Sequence, residues 1–321
     1  SFKLQQPQDK VSVTAGGTLT LNCTISGDGP LGPVKWLKGW GSENKTIYDQ
    51  TGTFPHVTRV VNGSNTDFSI RMRDVQPADM GTYYCVKFDK GVNRDLVVFA
   101  HGKGTEVSVL AKPSSPVVSG PEHRVGTGKS VPFTCTARGF FPQIISMKWF
   151  KDRTQISAQQ PPNITAQTPF SYSMSIKVTV TLQKEDVLSQ LVCEVQHPTL
   201  GVPLRGTYQL GNVLRVSPSV RVVGEPQSPV ELNKTVNFSC HVESFYPGDV
   251  AVTWLENSTK IKVENVSQVM LMPSGLFKLT SLLEVQATVE KNGSVFTCQV
   301  VHDGQGPISS KTTLWIHVPT K

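Results

Sequence analysis

Asp79-Met80-Gly81-Thr82-Tyr83-Tyr84-Cys85 is the stretch from which the rest of the chain is read. In D-x-G-x-Y-x-C the tyrosine stands two residues before a half-cystine, placed to return its hydroxyl to main chain at the turn into its strand. Upstream, Cys23 offers a disulfide partner from another strand, and Trp36 offers the ring that packs on the sulfur bridge. Each piece alone is weak evidence. Together they specify two facing antiparallel sheets.

The same punctuation recurs. Six cysteines fall as Cys23/Cys85, Cys135/Cys193 and Cys240/Cys298, and Trp36, Trp149 and Trp254 follow the first member of each pair by 13 or 14 residues. That is an internal repeat of roughly 105 residues, and 321 residues suit about three domains of about 100. Six cysteines formally permit many pairings, of which the repeat favours the local ones, leaving no thiol for catalysis or metal. Each closed loop of about 60 residues contributes roughly 4 kcal/mol in the chain-entropy description. Such bonds imply an oxidising compartment.

The expectation is an all-β chain of three tandem immunoglobulin-like β-sandwiches at 1–111, 112–215 and 216–321, the first variable-type and the other two constant-type. In the first, Val11, Val13, Leu19, Leu21 and Cys23 alternate with polar residues around Gly16-Gly17, and Phe68, Ile70 and Met72 do so again, the period of half-buried strands. Lettering the strands so that B and F carry the cysteines and C the tryptophan, the stretch between Trp36 and Phe68 leaves room for extra strands, with Ile47-Tyr48 as C′. Gly102-Lys103-Gly104-Thr105, then Val107 and Val109, resembles the joining-segment bulge of antigen-receptor variable domains. Leu110 to Pro116 is a short Pro/Ser linker.

Repeats two and three present Val131, Phe133 and Cys135, and Val236, Phe238 and Cys240, as strand B. Leu191 and Phe296 stand where Tyr83 stands in the first. They carry instead Phe140-Phe141-Pro142 with Cys193-Glu194-Val195-Gln196-His197, and Phe245-Tyr246-Pro247 with Cys298-Gln299-Val300-Val301-His302. These resemble the constant-type domains of antibodies, T-cell receptors and histocompatibility molecules. The resemblance implies cis bonds at Phe141–Pro142 and Tyr246–Pro247 and structural roles for His197 and His302.

Sequons at Asn44, Asn62, Asn163, Asn233, Asn237, Asn257, Asn265 and Asn292 fit a glycosylated surface. The net charge of +7 comes from 31 Lys and Arg scattered without a run or interleaved aromatics, which argues against nucleic acid. No apolar run approaches a membrane span and no signal peptide is present, so the chain reads as a mature ectodomain exposed at the plasma membrane. The other five histidines lack ligand-like spacing, and no phosphate-binding glycine loop occurs. An enzyme, a metal site or a cofactor is not expected.

Variable-constant-constant order combined with Ala78 to Phe88, Asp67-Phe68-Ser69-Ile70-Arg71, Ala111 to Pro121, Leu204-Arg205-Gly206 and Thr253-Trp254-Leu255-Glu256-Asn257 closely resembles the signal-regulatory protein family of myeloid receptors, over all three domains. The resemblance implies a cell-surface protein ligand held by the variable domain's loops. In the inhibitory alpha type the ligand is integrin-associated protein. The loops here are B–C (residues 27–32), C′–D (49–52) and F–G (89–95). Candidate contacts are Asp28, Gly29, Pro30, Leu31, Gln50, Thr51, Lys87, Asp89, Lys90, Val92, Asn93 and Arg94.

The departures from the family fall on those loops. Asp28-Gly29 replaces an aliphatic pair, C′–D lacks an acidic residue, the D–E segment at Asn62-Gly63-Ser64-Asn65 is shorter and carries a sequon, and F–G is one residue longer. Burying a side chain such as Leu contributes about 1.5–3 kcal/mol, so the change points to a paralogue with another ligand. In the family such paralogues are commonly beta-type activating receptors that recruit a tyrosine-motif adaptor through a membrane segment. The alternatives are an inhibitory alpha-type receptor and an adhesion or soluble decoy protein. Trp40 at the C–C′ turn is a candidate anchor for a partner or a homodimer, the simpler reading being that it folds over its own strand. His56 stands where the family has an arginine that pairs with Asp79, with Arg59 as a substitute. Trp315 reads as packing.

Overall fold

The computed structural model describes residues 1–263 and 267–319; Asn265 lies outside them. Among these residues all regular structure is strand apart from five short 3-10 turns. The first sandwich comprises β1 (Lys3–Gln5), β2 (Lys10–Thr14), β3 (Leu19–Leu21), β4 (Thr24–Ser26), β5 (Val34–Lys38), β6 (Lys45–Tyr48), β7 (Val57–Arg59), β8 (Ile70–Met72), β9 (Gly81–Lys90), β10 (Leu96–His101) and β11 (Thr105–Leu110). One sheet runs β2-β11-β9-β5-β6, with β10 also on β9. The facing layer holds β3-β8-β7 and the pair β1-β4. β6 is the expected C′ strand, antiparallel to β5, and β2 lies parallel to β11.

The period-2 pattern explains the core. Leu19, Leu21, Ile70, Met72, Val107 and Val109 are buried, with Trp36 fully enclosed beside Cys23 and Cys85. The indole N–H of Trp36 donates to the Phe68 carbonyl at 2.8 Å. Tyr83 is likewise enclosed, and its hydroxyl donates to the Asp79 carbonyl at 2.6 Å. This is the corner expected from D-x-G-x-Y-x-C, and burial pushes the phenol's pKa up.

The second and third sandwiches are each four strands on four. In the second the order is 117–119, 130–140, 171–181, 163–168 facing 154–156, 146–151, 190–196, 204–209. In the third it is 219–225, 235–245, 277–286, 270–271 facing 259–261, 250–256, 294–302, 308–314. The remaining disulfides join Cys135 to Cys193 and Cys240 to Cys298, beneath the buried Trp149 and Trp254. Phe141–Pro142 and Tyr246–Pro247 are cis, as are Glu225–Pro226 and Ser228–Pro229, which no motif had flagged. His197 and His302 are buried, and each Nε2 lies 2.8 Å from the carbonyl of the cis proline, Pro142 or Pro247, as its N–H donor.

The sandwiches are joined by a repeated device. Ala111 at the end of the first exchanges two main-chain hydrogen bonds with Phe141 of the second, both 3.0 Å. Val216 and Tyr246 repeat the exchange between second and third at 2.8 and 3.0 Å. The second joint is further secured. The Arg124 guanidinium donates to the carbonyls of Gly211 and Leu214 and lies 5.4 Å from the Tyr246 ring. Arg215 pairs with Asp303 at 2.8 Å, and Leu276 of the third sandwich packs into the core of the second.

Candidate functional site

The connections expected to form a binding surface converge at one end of the first sandwich. The link from β4 to β5 is tied to β9 by Phe88 N–H to Pro33 O at 2.9 Å, Lys90 N–H to Leu31 O at 2.7 Å, and the Lys87 ammonium to Gly32 O. A Cβ on Gly32 would lie 2.0 Å from the Phe88 carbonyl, so only glycine allows this approach. A Cβ on Gly29 would meet the Phe2 ring at 2.8 Å. The Asp28-Gly29 departure is thus coupled to how the N-terminal segment packs. Gln50, Asn65, Gly29, Pro30 and Lys87 face a common cleft of about 230 Å³, which places the connections after β4, β6 and β7 together. Burial lowers the Lys87 pKa, with Asp89 opposing.

Asp28, Gly29, Leu31, Gln50, Thr51, Lys90, Val92, Asn93 and Arg94 are exposed, whereas Pro30, Lys87 and Asp89 are half-buried. The C′–D link is ordered from within. Asp49 accepts both the N–H and the hydroxyl of Thr51 at 3.0 Å and lies 3.4 Å from the Lys35 ammonium. Burial raises the Asp49 pKa, but the Thr51 bonds and Lys35 outweigh it and leave the carboxyl below its ordinary value.

The F–G connection differs from the expected loop. β9 continues through Asp89 and Lys90, which pair with Val97 and Leu96, so the turn is residues 91–95 only. Beyond it Leu96, Val97, Val98 and Phe99 are all exposed, Val92 at the tip is completely so, and Leu31 nearby is 87% exposed. Sequence reasoning passed over β10. The signal was present: Leu96-Val97-Val98-Phe99 is an unbroken apolar run where a half-buried strand should alternate. The hairpin therefore holds apolar area of the kind Asp28-Gly29 removes.

Two further expectations are corrected. Trp40 does not fold over its own strand. It tilts onto Tyr84 of β9 and His101 of β10, with ring centroids at 5.2 and 4.7 Å, and remains 46% exposed. Arg59 does not replace the arginine partner of Asp79; it donates to the Ser64 and Asp67 carbonyls and lies over the Phe68 ring. The Asp79 carboxylate instead accepts the Gln76 N–H at 2.8 Å, within the turn that leads into β9. Trp315 is 55% exposed, with its ring against Gly293.

Asn44, Asn62, Asn163, Asn233, Asn237, Asn257 and Asn292 are exposed. No helix among the described residues is long and apolar enough to cross a membrane, and no group of His, Cys, Asp and Glu among them is arranged to hold a metal.

Comparison with known proteins agrees with this architecture. Residues 5–110 match the immunoglobulin V-set domain, and residues 117–200 and 220–305 match the immunoglobulin C1-set domain. The chain is 43% identical to the tyrosine-protein phosphatase non-receptor type substrate 1 of Bos taurus, over 98% of its own length and 63% of that relative's. It is 42% identical to signal-regulatory protein beta-1 of Homo sapiens, over 98% of its length and 80% of that protein's. The phosphatase substrate of Rattus norvegicus matches at 41%, with 62% of its length covered. The chain thus spans less than two thirds of the phosphatase-substrate relatives and four fifths of the beta-1 relative.

Proposed function

The chain belongs to the signal-regulatory protein family of immunoglobulin-type receptors, and from that premise we propose that it recognises a cell-surface protein through the loop end of its first sandwich. The observation that carries this reading is an asymmetry between ends. In the second and third sandwiches the B–C connection is joined to the preceding sandwich through Phe141 and Tyr246. In the first the same end faces outward, with Leu31 and Val92 standing free. Exposed apolar side chains rimmed by polar groups such as Gln50, Thr51, Asn93 and Arg94 are what a protein partner desolvates.

In this reading the chain is the extracellular part of a myeloid plasma-membrane receptor that regulates phagocytosis. It is of the activating beta type and signals through a tyrosine-motif adaptor recruited by a membrane segment. The support is the rewriting of the B–C loop at Asp28-Gly29, opposite an apolar F–G hairpin. Tetramers of the three-domain chain test it. They should stain a subset of cells, and Leu31→Asp or Val92→Asp should abolish staining while Val202→Asp, on an exposed residue of the second sandwich, leaves it intact. Staining unaffected by both loop substitutions would move the binding surface elsewhere. Micromolar binding to integrin-associated protein of the same species would instead favour the inhibitory alpha type.

A further inference from the structure

Two sequons, Asn62-Gly63-Ser64 and Asn292-Gly293-Ser294, are also Asn-Gly pairs, and the fold treats them oppositely. An asparagine before glycine is labile because the unhindered glycine nitrogen can attack the side-chain carbonyl. At Asn292 both reacting groups are held. Its Oδ1 accepts the Ile316 N–H at 3.0 Å, and the Gly293 N–H donates to the Leu314 carbonyl at 2.8 Å. The adjoining Ser294 is buried, its hydroxyl accepting from the Asn257 side chain.

At Asn62 neither group is held. Its side chain and the Gly63 N–H make no hydrogen bond among the described residues. Gly63 has φ of 76° with open space on its Cβ side. The Asn62-Gly63 pair itself is spanned by Ser64 N–H to Val61 O at 3.4 Å, at the long limit of a hydrogen bond, while the firmer bonds of this turn, from Arg59 and from the Asp67 N–H, fall on Ser64 and Asp67.

We infer that Asn62 is a deamidation site at the open loop end, shielded when its sequon carries a glycan, and that Asn292 is not such a site. The Gly63 nitrogen forms a bond to the Asn62 side-chain carbonyl carbon. The bond from that carbon to Nδ2 breaks, and the nitrogen leaves as ammonia with the proton given up by Gly63. Water then opens the cyclic imide at either carbonyl, giving aspartate or isoaspartate. One water is consumed and one ammonia released, with no other reactant. A glycan on Nδ2 turns the leaving group into a bulky sugar amine and blocks that departure. The product carries a new carboxylate two residues from Ser64, whose carbonyl accepts from Arg59 at 2.6 Å. It also lies three residues from Asn65, which lines the cleft with Lys87. This inference holds whichever ligand the loop end takes.

The test compares both pairs within one molecule. The three-domain chain made without N-glycosylation, and separately its Ser64→Ala variant, are held at body temperature and mildly alkaline pH and mapped by peptide mass spectrometry with enzymatic isoaspartate detection. Asn62 should convert about tenfold or more faster than Asn292, because two hydrogen bonds must open before Asn292 can react. In denaturant the two pairs should convert at similar rates. Equal rates in the folded chain would overturn the inference, as would an Asn62 that reacts no faster than Asn292. Releasing glycans enzymatically in heavy-oxygen water labels every formerly glycosylated asparagine. Unlabelled acid at Asn62 in a chain fully glycosylated there would overturn the shielding.

Discussion

In all three sandwiches the strand carrying the second cysteine reaches across to the connection that follows the first, and the chemistry of that reach separates the first sandwich from the others. In the second and third it is a buried imidazole. His197 and His302, 4% and 2% exposed, meet the Pro142 and Pro247 carbonyls and stand edge-on to Phe140 and Phe245, with centroids at 5.5 Å. In the first it is the half-buried Lys87 ammonium on the Gly32 carbonyl. A rigid, buried ring suits an end that is a socket for the preceding sandwich. A flexible cation suits an end left open. The strand carrying the tryptophan offers a parallel contrast, since it pins the turn before the second cysteine in each sandwich. Lys151 pairs with the buried Asp186 at 2.6 Å, Glu256 pairs with Lys291 at 2.6 Å with the signs exchanged, and Lys38 donates to the neutral Ala78 carbonyl.

The strongest way to break this comparison is through the turn pins. Asp186→Ala should cost the second sandwich about 3 kcal/mol, because it strands the Lys151 charge and uncaps the Gln183 N–H, and domain-resolved thermal unfolding would read it. The doubly exchanged Lys151→Glu/Asp186→Lys chain should recover part of that loss if the third sandwich is the same pin with reversed polarity. No recovery would end the equivalence.

Next come the histidines. His197→Ala should cost about 2 kcal/mol, since Pro142 O loses its donor and the Thr199 hydroxyl its partner. His302→Ala should cost less, because Nδ1 of His302 has no partner among the described residues to lose. Lys87→Ala should change stability by under about 0.5 kcal/mol while lowering ligand capture.

Tyr83→Phe makes the first sandwich constant-like at its corner, since Leu191 and Phe296 hold the equivalent positions without a hydroxyl. Its expected cost is about 1 kcal/mol in chemical denaturation.

The smallest effect concerns Asp49. Its lowered pKa means that its stabilisation is fully present above the ordinary carboxylate value and is lost as pH falls through the lower folded value. Asp49→Asn should remove that acid-side loss, a fraction of a kcal/mol measured as unfolding midpoint against pH.

Much of this was legible in the residues. Cys-Trp-Cys spacing, the tyrosine corner and the paired Phe-Pro and Tyr-Pro motifs are local or periodic signals, and each occupies the place its chemistry requires. The loops at the open end of the first sandwich were legible as connections, but their edges were not. Asp89 and Lys90 look like loop residues by composition and are strand because Val97 and Leu96 pair with them. Trp40 could be recognised as outside the core, but its resting place depends on Tyr84 and His101, side chains of two other strands. Arg59 looked like a partner for Asp79 by proximity in sequence, and the turn after β7 supplies nearer carbonyls. The joints were least legible. Arg124, Arg215 and Asp303 are ordinary surface residues until two folded sandwiches are set end to end.

Those joints have a mechanical meaning under the proposed recognition, in which a partner is held at the loop end. Load entering at the loop end must cross from Ala111 to Phe141, and then from Val216 to Tyr246. The first crossing is the main-chain bridge and a linker fastened to the second sandwich by Ser114 and Arg138; the second adds the Arg124 clamp, the Arg215–Asp303 pair and the seated Leu276. Side-chain contacts across the joint are thus richer between the second and third sandwiches than between the first and second. Under tension the joint with fewer such contacts, the one nearer the tip, should yield first.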